Sequence, residues 1–226
     1  MTAVAEPSYR KRIGYQAGLL GGFTLIAAAL LVMGDIATRD TIALRKAEDL
    51  KASLAEVIPP AIHDNDLLAD PLTLEGPDGL PLTVYRARQG LQVTGVAYRV
   101  SGVGYAGPIE LLLGLDAAGT VLGTRVLSHA ETPGLGDKME VAKGDWILGF
   151  NGLSLGNPPA ERWAVKKDGG DFDQFTGATI TPRGILAALR GGLEFFATHR
   201  DALTASAVLQ VDSPDAARPA PTQPGS

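Results

Sequence analysis

The sequence of 226 residues contains no cysteine. This absence excludes disulfide bonds, thiolate metal sites, cysteine-ligated iron–sulfur clusters and cysteine nucleophiles. Histidine is scarce, and His63 and His199 are isolated from residues that would complete a catalytic or metal-binding set. The glycines of segment 102–107 do not have the spacing of a dinucleotide fingerprint, and we interpret that segment as a loop between strands. The sequence therefore indicates neither a dinucleotide-binding site nor a cysteine-ligated iron–sulfur cluster.

Positive charge is also limited. The chain has 20 Lys and Arg against 25 Asp and Glu, which gives a net charge of -5. The one short basic cluster is Arg10, Lys11 and Arg12, and no basic face with interleaved aromatic residues follows it. These features exclude a general nucleic-acid binder, so we expect no nucleic-acid partner.

A charge-free apolar run occupies residues 13–33, directly after the basic cluster. About 20 residues at helical rise match the hydrocarbon thickness of a bilayer, so the run predicts a transmembrane helix. A cleavable signal peptide has a shorter apolar region, and we favour a retained anchor. The positive-inside rule predicts a cytoplasmic arm at residues 1–12 and places the chain from Asp35 onward on the other side of the membrane, which in a bacterium is the periplasm or the exterior. Glycines at 14, 18 and 22 either pack a partner helix or reflect ordinary membrane composition.

The remainder of the chain predicts one domain with short appendages. Residues 34–60 indicate an amphipathic connecting helix that ends at Pro59 and Pro60. Alternating apolar residues predict strands over 82–88, 91–100, 109–116 and 120–128, and short helices after Gly136 and at 145–150. This order indicates an α+β fold, with an antiparallel sheet and packed helices over residues 61–211. Residues 212–226, rich in Pro, Ala and Ser, predict a disordered tail.

The segment around Thr179 predicts the start of a helix. Thr181 is a suitable N-cap and Pro182 suits the first helical position. A phosphate on the hydroxyl of Thr179 would face the unpaired amides and positive dipole of that helix, with Arg183 near enough to neutralise charge. Gly177 and Ala178 leave room for a bulky ligand. The alternative interpretation is an ordinary capped helix after a loop. The apolar face predicted for the helix consists of Ile185, Leu189, Leu193 and Phe196.

Two segments resemble a known family. Residues 176–181 read Thr-Gly-Ala-Thr-Ile-Thr, and residues 129–136 read His-Ala-Glu-Thr-Pro-Gly-Leu-Gly. The first resembles the Ser/Thr-Gly-Ala-Thr flavinylation motif, and the second resembles the Glu-Thr-Pro-Gly-Leu-Gly signature, of the FMN-binding domain shared by RnfG (also called RsxG) and NqrC. Two motifs in the right order are more specific than one. The resemblance extends from the apolar run to the helix after Thr179.

The resemblance implies one covalent FMN, joined through its phosphate to Thr179. Thr176, Gly177 and Ala178 complete that motif, and Thr or Ser occupies the first position in the family. The second loop is expected to line the isoalloxazine ring through four residues, although a plain structural turn is the alternative. Those four residues are Glu131, Thr132, Leu135 and Gly136.

Other basic or metal-like residues stand near the two motifs. Lys166 and Lys167 are either phosphate neighbours or solvated charges. His129 and Glu131 imitate a metal pair, but no further ligand has suitable spacing, so we favour a loop role. We therefore expect neither a metal site nor a catalytic residue in this chain.

The function that the resemblance implies is an electron relay. It corresponds to the G subunit of an Rnf/Rsx-type translocase of the bacterial inner membrane, which couples NADH and ferredoxin electron transfer to ion transport. The chain alone would complete no reaction. Its partners would be membrane, iron–sulfur and flavin subunits of the complex. A flavin transferase that uses FAD and a divalent metal would attach the FMN. The alternatives are the C subunit of the sodium-translocating NADH:quinone reductase, a flavinylated domain that serves an external reductase, and a non-redox anchored scaffold.

Overall fold

The computed structural model describes residues 13–206. The predicted cytoplasmic arm at 1–12 and the predicted tail at 212–226 lie outside the described residues. The chain divides into two compact units, Met1–Leu50 and Lys51–Ser226. The domain boundaries expected from the sequence, at 33/34 and 60/61, stay predictions.

The first helix, α1, spans Ile13–Val57. The large apolar side chains of its first half are exposed, including Leu20, Leu25 and Leu31. The helix is long and apolar enough to cross a membrane. It is one continuous helix, whereas the sequence suggested a spanning and a connecting segment. It ends just before Pro59 and Pro60, because proline supplies no backbone N–H and disfavours helical backbone in the preceding residue.

A five-stranded antiparallel sheet forms the centre of the second unit, with strand order β1-β2-β3-β4-β5. The four predicted strands are confirmed, and the structure adds one that the sequence pattern did not predict, the short edge strand β1. With α2 (Ile180–Thr204) packed on the sheet, the predicted α+β class is confirmed. The strands are β1 Leu72–Glu75, β2 Pro81–Gln89, β3 Gln92–Val103, β4 Pro108–Asp116 and β5 Val121–Ser128.

One face of the sheet packs against α2 and holds most of the core. Tyr98 is fully buried there, and its hydroxyl donates a hydrogen bond to the carbonyl of Gly192 at 2.8 Å. The backbones of β3 and α2 come very close where they cross. A Cβ added to Gly184 would lie 2.2 Å from the carbonyl oxygen of Val103. Glycine at this crossing is therefore a packing requirement, which fixes the height of α2 above the sheet.

The opposite face of the sheet is covered by the last residues of α1. Gly114 and Gly123 pair across β4 and β5, and both lie directly under Val57. A Cβ on Gly114 would stand 2.4 Å from the carbonyl oxygen of Val57. Arg125 donates a hydrogen bond to Glu56 at 2.6 Å on the same face. Residues 51–57 are thus packed as part of the second unit.

A long irregular segment connects β5 to α2 and carries the motif loops. It contains four short 3-10 helices, and those after Gly136 and at 145–150 correspond to the predicted short helices. The bounds are Asp137–Met139, Trp146–Phe150, Ala160–Arg162 and Lys166–Asp168.

Candidate functional site

Helix α2 begins one residue after Thr179. Thr179 occupies the N-cap position, and its side chain makes no capping hydrogen bond. The prediction that Thr181 is the N-cap is wrong, because Thr181 lies inside the first turn, is fully buried and donates its hydroxyl to Glu131. Pro182 also lies in this first turn, where its missing N–H breaks no helical bond. The helix start therefore presents amides without a side-chain cap.

The predicted apolar face of α2 is confirmed. Its four residues repeat at helical spacing and are all at least 97% buried, because they face the sheet across the core. They are Ile185, Leu189, Leu193 and Phe196.

A tight turn over residues 175–178 leads into the helix. The N–H of Ala178 donates to the carbonyl of Phe175 at 3.1 Å. Gly177 has a positive φ of 83°, the backbone that the third residue of a type II turn requires. Thr176 and Gly177 are exposed, and Thr179 is half-buried. The turn that precedes Thr179 therefore exposes only small residues at 176 and 177.

The second motif forms another tight turn. The carbonyl of Thr132 accepts hydrogen bonds from the amides of Leu135, at 3.1 Å, and Gly136, at 3.2 Å. Gly134 has a φ of 80°, and its N–H donates to Asp137 at 2.8 Å. That N–H, followed by Lys143, holds the pKa of Asp137 below its usual range. Thr132 and Leu135 are exposed on this turn.

The two turns meet at the start of α2. A Cβ on Gly177 would lie 3.4 Å from Cδ2 of Leu135, and one on Gly136 would lie 3.0 Å from the hydroxyl oxygen of Thr181. Segments about 40 residues apart in the sequence therefore form one surface. Both motifs were expected from the sequence to serve the same ligand, and the structure brings them together.

Glu131 lies beneath this surface. Its side chain is buried, with Oε2 accepting from the hydroxyl of Thr181 and Oε1 accepting from the N–H of Ala106 at 2.9 Å. From the sequence, Glu131 was expected to line the ring together with Thr132 and Leu135. In the structure its carboxylate points inward, because each of its oxygens is occupied by a protein donor.

Two of the three basic residues near the site are paired with acids. Arg183 donates to both carboxylate oxygens of Asp168, at 2.6 Å each, and this holds the pKa of Asp168 below its usual range. Lys166 lies 2.7 Å from Asp173. The backbone N–H of Lys167 donates to the side chain of Gln174 at 3.4 Å. A phosphate-binding role for any of them stays a prediction.

Aromatic residues support the segment that precedes Thr179, and the sequence-based prediction of the site did not include them. Trp146 packs edge-on against Phe175, with ring centroids 4.9 Å apart, and its ring N–H donates to the carbonyl of Asp173 at 2.8 Å. The sequence did contain a signal for this cluster, because five of the chain's few aromatic residues fall within 146–175. The cluster consists of Trp146, Phe150, Trp163, Phe172 and Phe175.

His129 has a structural role, as its spacing in the sequence favoured. Its Nε2 lies 2.7 Å from Glu140, and its Nδ1 accepts the backbone N–H of Glu131 at 3.1 Å. These two bonds select the tautomer with the proton on Nε2. Within residues 13–206, no group of three or more His, Asp or Glu is arranged to hold a metal ion.

A cavity of about 740 Å³ opens beside the start of α2. Ile180 and Arg183 stand at this cavity, and Thr179 is not among its lining residues. Tyr98 and Val100 of β3 line one wall of the cavity. The other wall is a face of α2 with small residues, including Gly184, Ala187 and Gly191. The cavity gives the helix start a second neighbouring surface, distinct from the motif turns.

The sequence of this chain is similar to those of known proteins. The FMN-binding domain family matches residues 104–194, which contain both turns. The G subunit of the ion-translocating oxidoreductase complex of Cereibacter sphaeroides is 52% identical over 192 residues, covering 85% of this chain and 88% of the relative. The chain belongs to this family of G subunits. The G subunit of Stutzerimonas stutzeri is 47% identical over 86% of each chain, and that of Pseudomonas aeruginosa is 42% identical over 88% of this chain and 96% of its own.

Among solved structures, the NqrC of Shewanella oneidensis is similar to this chain. The sequences are 22% identical, the TM-score is 0.45, and the match covers 67% of this chain and 73% of that one. The G-subunit family is the one that the sequence resemblance favoured over the NqrC alternative.

Proposed function

We propose that this protein is a membrane-anchored electron-transfer subunit that carries FMN within an ion-translocating oxidoreductase complex. Membership of the G-subunit family and the match to the FMN-binding domain support the assignment. One structural observation supports a specific site for the FMN: the Leu135 turn and the Gly177 turn meet at a helix start whose N-cap is Thr179. The long apolar helix α1 anchors the chain.

The residues at the helix start fit a phosphate-linked flavin. The uncapped amides and positive dipole of a 25-residue helix favour an anion. The side-chain hydroxyl of Thr179 is not used for capping, and the exposed turn at Thr176 and Gly177 leaves space beside it. Thr132, Leu135 and Gly136 provide a second wall. We assign Thr179 as the attachment residue. Its surroundings are Thr176, Gly177, Ala178, Thr132, Leu135 and Gly136.

Bound FMN supplies a group that accepts two electrons and passes them on one at a time. The FMN group would be transferred to Thr179 from FAD. A bond forms between Oγ1 of Thr179 and the FMN phosphorus, the pyrophosphate bond to AMP breaks, AMP leaves, and the hydroxyl proton is released. A flavin transferase is the proposed catalyst. Covalent attachment would keep the cofactor on a domain that faces the periplasm, where no FMN pool replaces it.

The attachment is tested on the full chain, expressed with and without a flavin transferase. We expect a flavin-fluorescent band on a denaturing gel and a mass increment of one esterified FMN on the peptide that contains Thr179. Thr179→Ala should abolish both signals. Thr198→Ala, which removes an exposed hydroxyl of α2 outside both motif turns, is the matched control and should retain them. A chain that stays colourless when it is expressed with an active transferase supports the non-redox scaffold instead.

The orientation has its own test. Because the chain has no cysteine, Thr2→Cys and Asn151→Cys each introduce a single thiol. In intact spheroplasts, a membrane-impermeant maleimide should label position 151 and not position 2. The reverse pattern would refute the periplasmic placement. The proposed partners, the other membrane, iron–sulfur and flavin subunits, should co-purify with the chain from native membranes.

A further inference from the structure

A buried carboxylate connects the two motif turns, and the proposed function gives it no role. Glu131 has 6% of its surface exposed. Removing a carboxylate from water is costly unless hydrogen bonds compensate it. The hydroxyl of Thr181 and the N–H of Ala106 provide those bonds, one to each oxygen. The carboxylate therefore joins three separate segments: the 104–107 loop, the second motif and the first turn of α2.

The surrounding backbone is shaped to admit this carboxylate. A Cβ on Gly104 would lie 2.4 Å from Oε1 of Glu131, and one on Gly136 would lie 2.7 Å from Oε2. Heavy atoms do not approach so closely without displacement, so a larger residue at either position would displace the acid. Glycine at 136 is thus explained by the carboxylate that lies against it.

The main chain of Glu131 is held as well. Its N–H donates to Nδ1 of His129 at 3.1 Å, and Nε2 of His129 lies 2.7 Å from Glu140. The acid has both its side chain and its backbone hydrogen-bonded, which restricts the positions that it can adopt.

The segment fixed by Glu131 begins two residues after the proposed attachment site. Thr181 is fully buried, and its hydroxyl is committed to the carboxylate. Thr179 makes no capping bond of its own to hold its backbone. The position of its hydroxyl relative to the Leu135 turn therefore depends on how the first turn of α2 is held.

We propose that Glu131 is a positioning residue for flavin attachment: its buried carboxylate fixes the first turn of α2, and with it the hydroxyl of Thr179, against the two motif turns. The inference rests on the proposed function. In the transfer from FAD to Thr179, Glu131 touches neither the phosphorus nor the hydroxyl. It acts through Thr181, by keeping Oγ1 of Thr179 where the transferase can present the FMN phosphorus to it.

The test measures FMN transfer to purified full-length apoprotein in detergent, with FAD, Mg²⁺ and saturating flavin transferase. We expect Thr181→Val to slow the transfer about tenfold, the effect of losing a hydrogen bond to a charged group. Thr181→Ser keeps the hydroxyl and should restore the rate. Glu131→Gln keeps an acceptor for Ala106 and gains a donor toward Thr181, so it should be slowed less than Glu131→Ala.

The matched control is Thr94→Val. The hydroxyl of Thr94 donates to the carbonyls of Ile62, at 2.5 Å, and Ala87, at 3.2 Å, outside the motif turns. This variant loses a threonine hydroxyl hydrogen bond to the main chain, and with it some stability. It should accept FMN at the wild-type rate. Urea unfolding of each variant defines conditions in which all are folded, so loss of stability alone cannot mimic slow transfer.

The outcomes separate the two proposals. Wild-type protein that takes no FMN from an active transferase refutes the proposed function. Wild-type protein that takes FMN while folded Thr181→Val keeps pace with Thr94→Val refutes the positioning role of Glu131 and leaves the proposed function intact. Should Glu131→Ala fail to fold, the two Thr181 variants decide the question.

Discussion

Arg183 is locked onto Asp168 by two parallel hydrogen bonds, from Nε and Nη2, each 2.6 Å long. The pair stands at the first turn of α2, four residues beyond Thr179. From the sequence, Arg183 was expected to neutralise a phosphate at that threonine. In the structure its charge is already matched by a carboxylate, and this relationship sets the first prediction.

We expect Arg183→Ala to retain more than about half of the wild-type FMN content, because the paired guanidinium adds little net charge at the helix start. Both side chains are about 40% exposed, so solvent screens the ion pair and the substitution should lower the stability only slightly. Mass spectrometry of the intact chain and urea unfolding provide the two measurements. Asp168→Asn is the companion variant, since it releases Arg183 and should not lower the FMN content. A folded Arg183→Ala protein without FMN would show that the guanidinium leaves Asp168 for the phosphate.

The second prediction concerns the surface that the isoalloxazine ring contacts. The ring is expected on the second motif turn, where Leu135 is 43% exposed, and not in the cavity lined by β3 and α2. Leu135→Ala should therefore shift the flavin absorbance and midpoint potential, because the ring loses an apolar neighbour. Ala187→Leu fills part of the cavity wall and should change neither. The opposite pattern, measured on flavinylated protein, would move the ring into the cavity.

The third prediction tests the crossing of β3 and α2. Gly184→Ala places a methyl group 2.2 Å from the carbonyl oxygen of Val103, so the helix must shift, at a cost of about 2 kcal/mol in unfolding free energy. Gly191 lies on the same helix and has no atom within 4 Å of an added Cβ. Gly191→Ala should stabilise the protein by about 0.5–1 kcal/mol through helix propensity. Equal effects of the two substitutions in urea unfolding would contradict the close crossing.

The fourth prediction concerns alkaline pH. Burial raises the pKa of Tyr98 far above its usual value of about 10. The unfolded chain releases this proton near pH 10 and the folded chain does not. The stabilisation from the neutral phenol is therefore complete below about pH 10 and declines as the pH rises further. Tyrosinate absorbance should show Tyr98 ionising only as the domain unfolds, and Tyr98→Phe should weaken the alkaline loss of stability. A Tyr98 that titrates near pH 10 in folded protein would be inconsistent with its burial.

The sheet and α2 were predictable because their signals are local. Apolar alternation identified four strands, and the positive φ angles of Gly90 and Gly119 occur in the gaps between those predicted strands. The edge strand β1 has only four residues, too short for a clear alternation pattern. The continuity of α1 was missed because the change from an apolar to a charged sequence looked like the boundary of a segment.

The geometry of the candidate site was predicted from its motifs only in part. The motifs placed Thr179 at a helix start, which the structure has. Thr181 followed by Pro182 looked like an N-cap, but Glu131, 50 residues away, takes that hydroxyl. Such a bond depends on tertiary packing, which no local pattern encodes. The same holds for Arg183 and Asp168, which are 15 residues apart.

The aromatic cluster behind the Gly177 turn has a practical consequence. The chain has two tryptophans, Trp146 and Trp163, and both belong to this cluster. Trp146 also hydrogen-bonds the main chain at Asp173, six residues before Thr179. The intrinsic ultraviolet emission of the protein therefore arises beside the segment that leads to the proposed attachment threonine. Because oxidised flavin absorbs where indole emits, tryptophan fluorescence should decrease as FMN is attached, and it would report loading without a label.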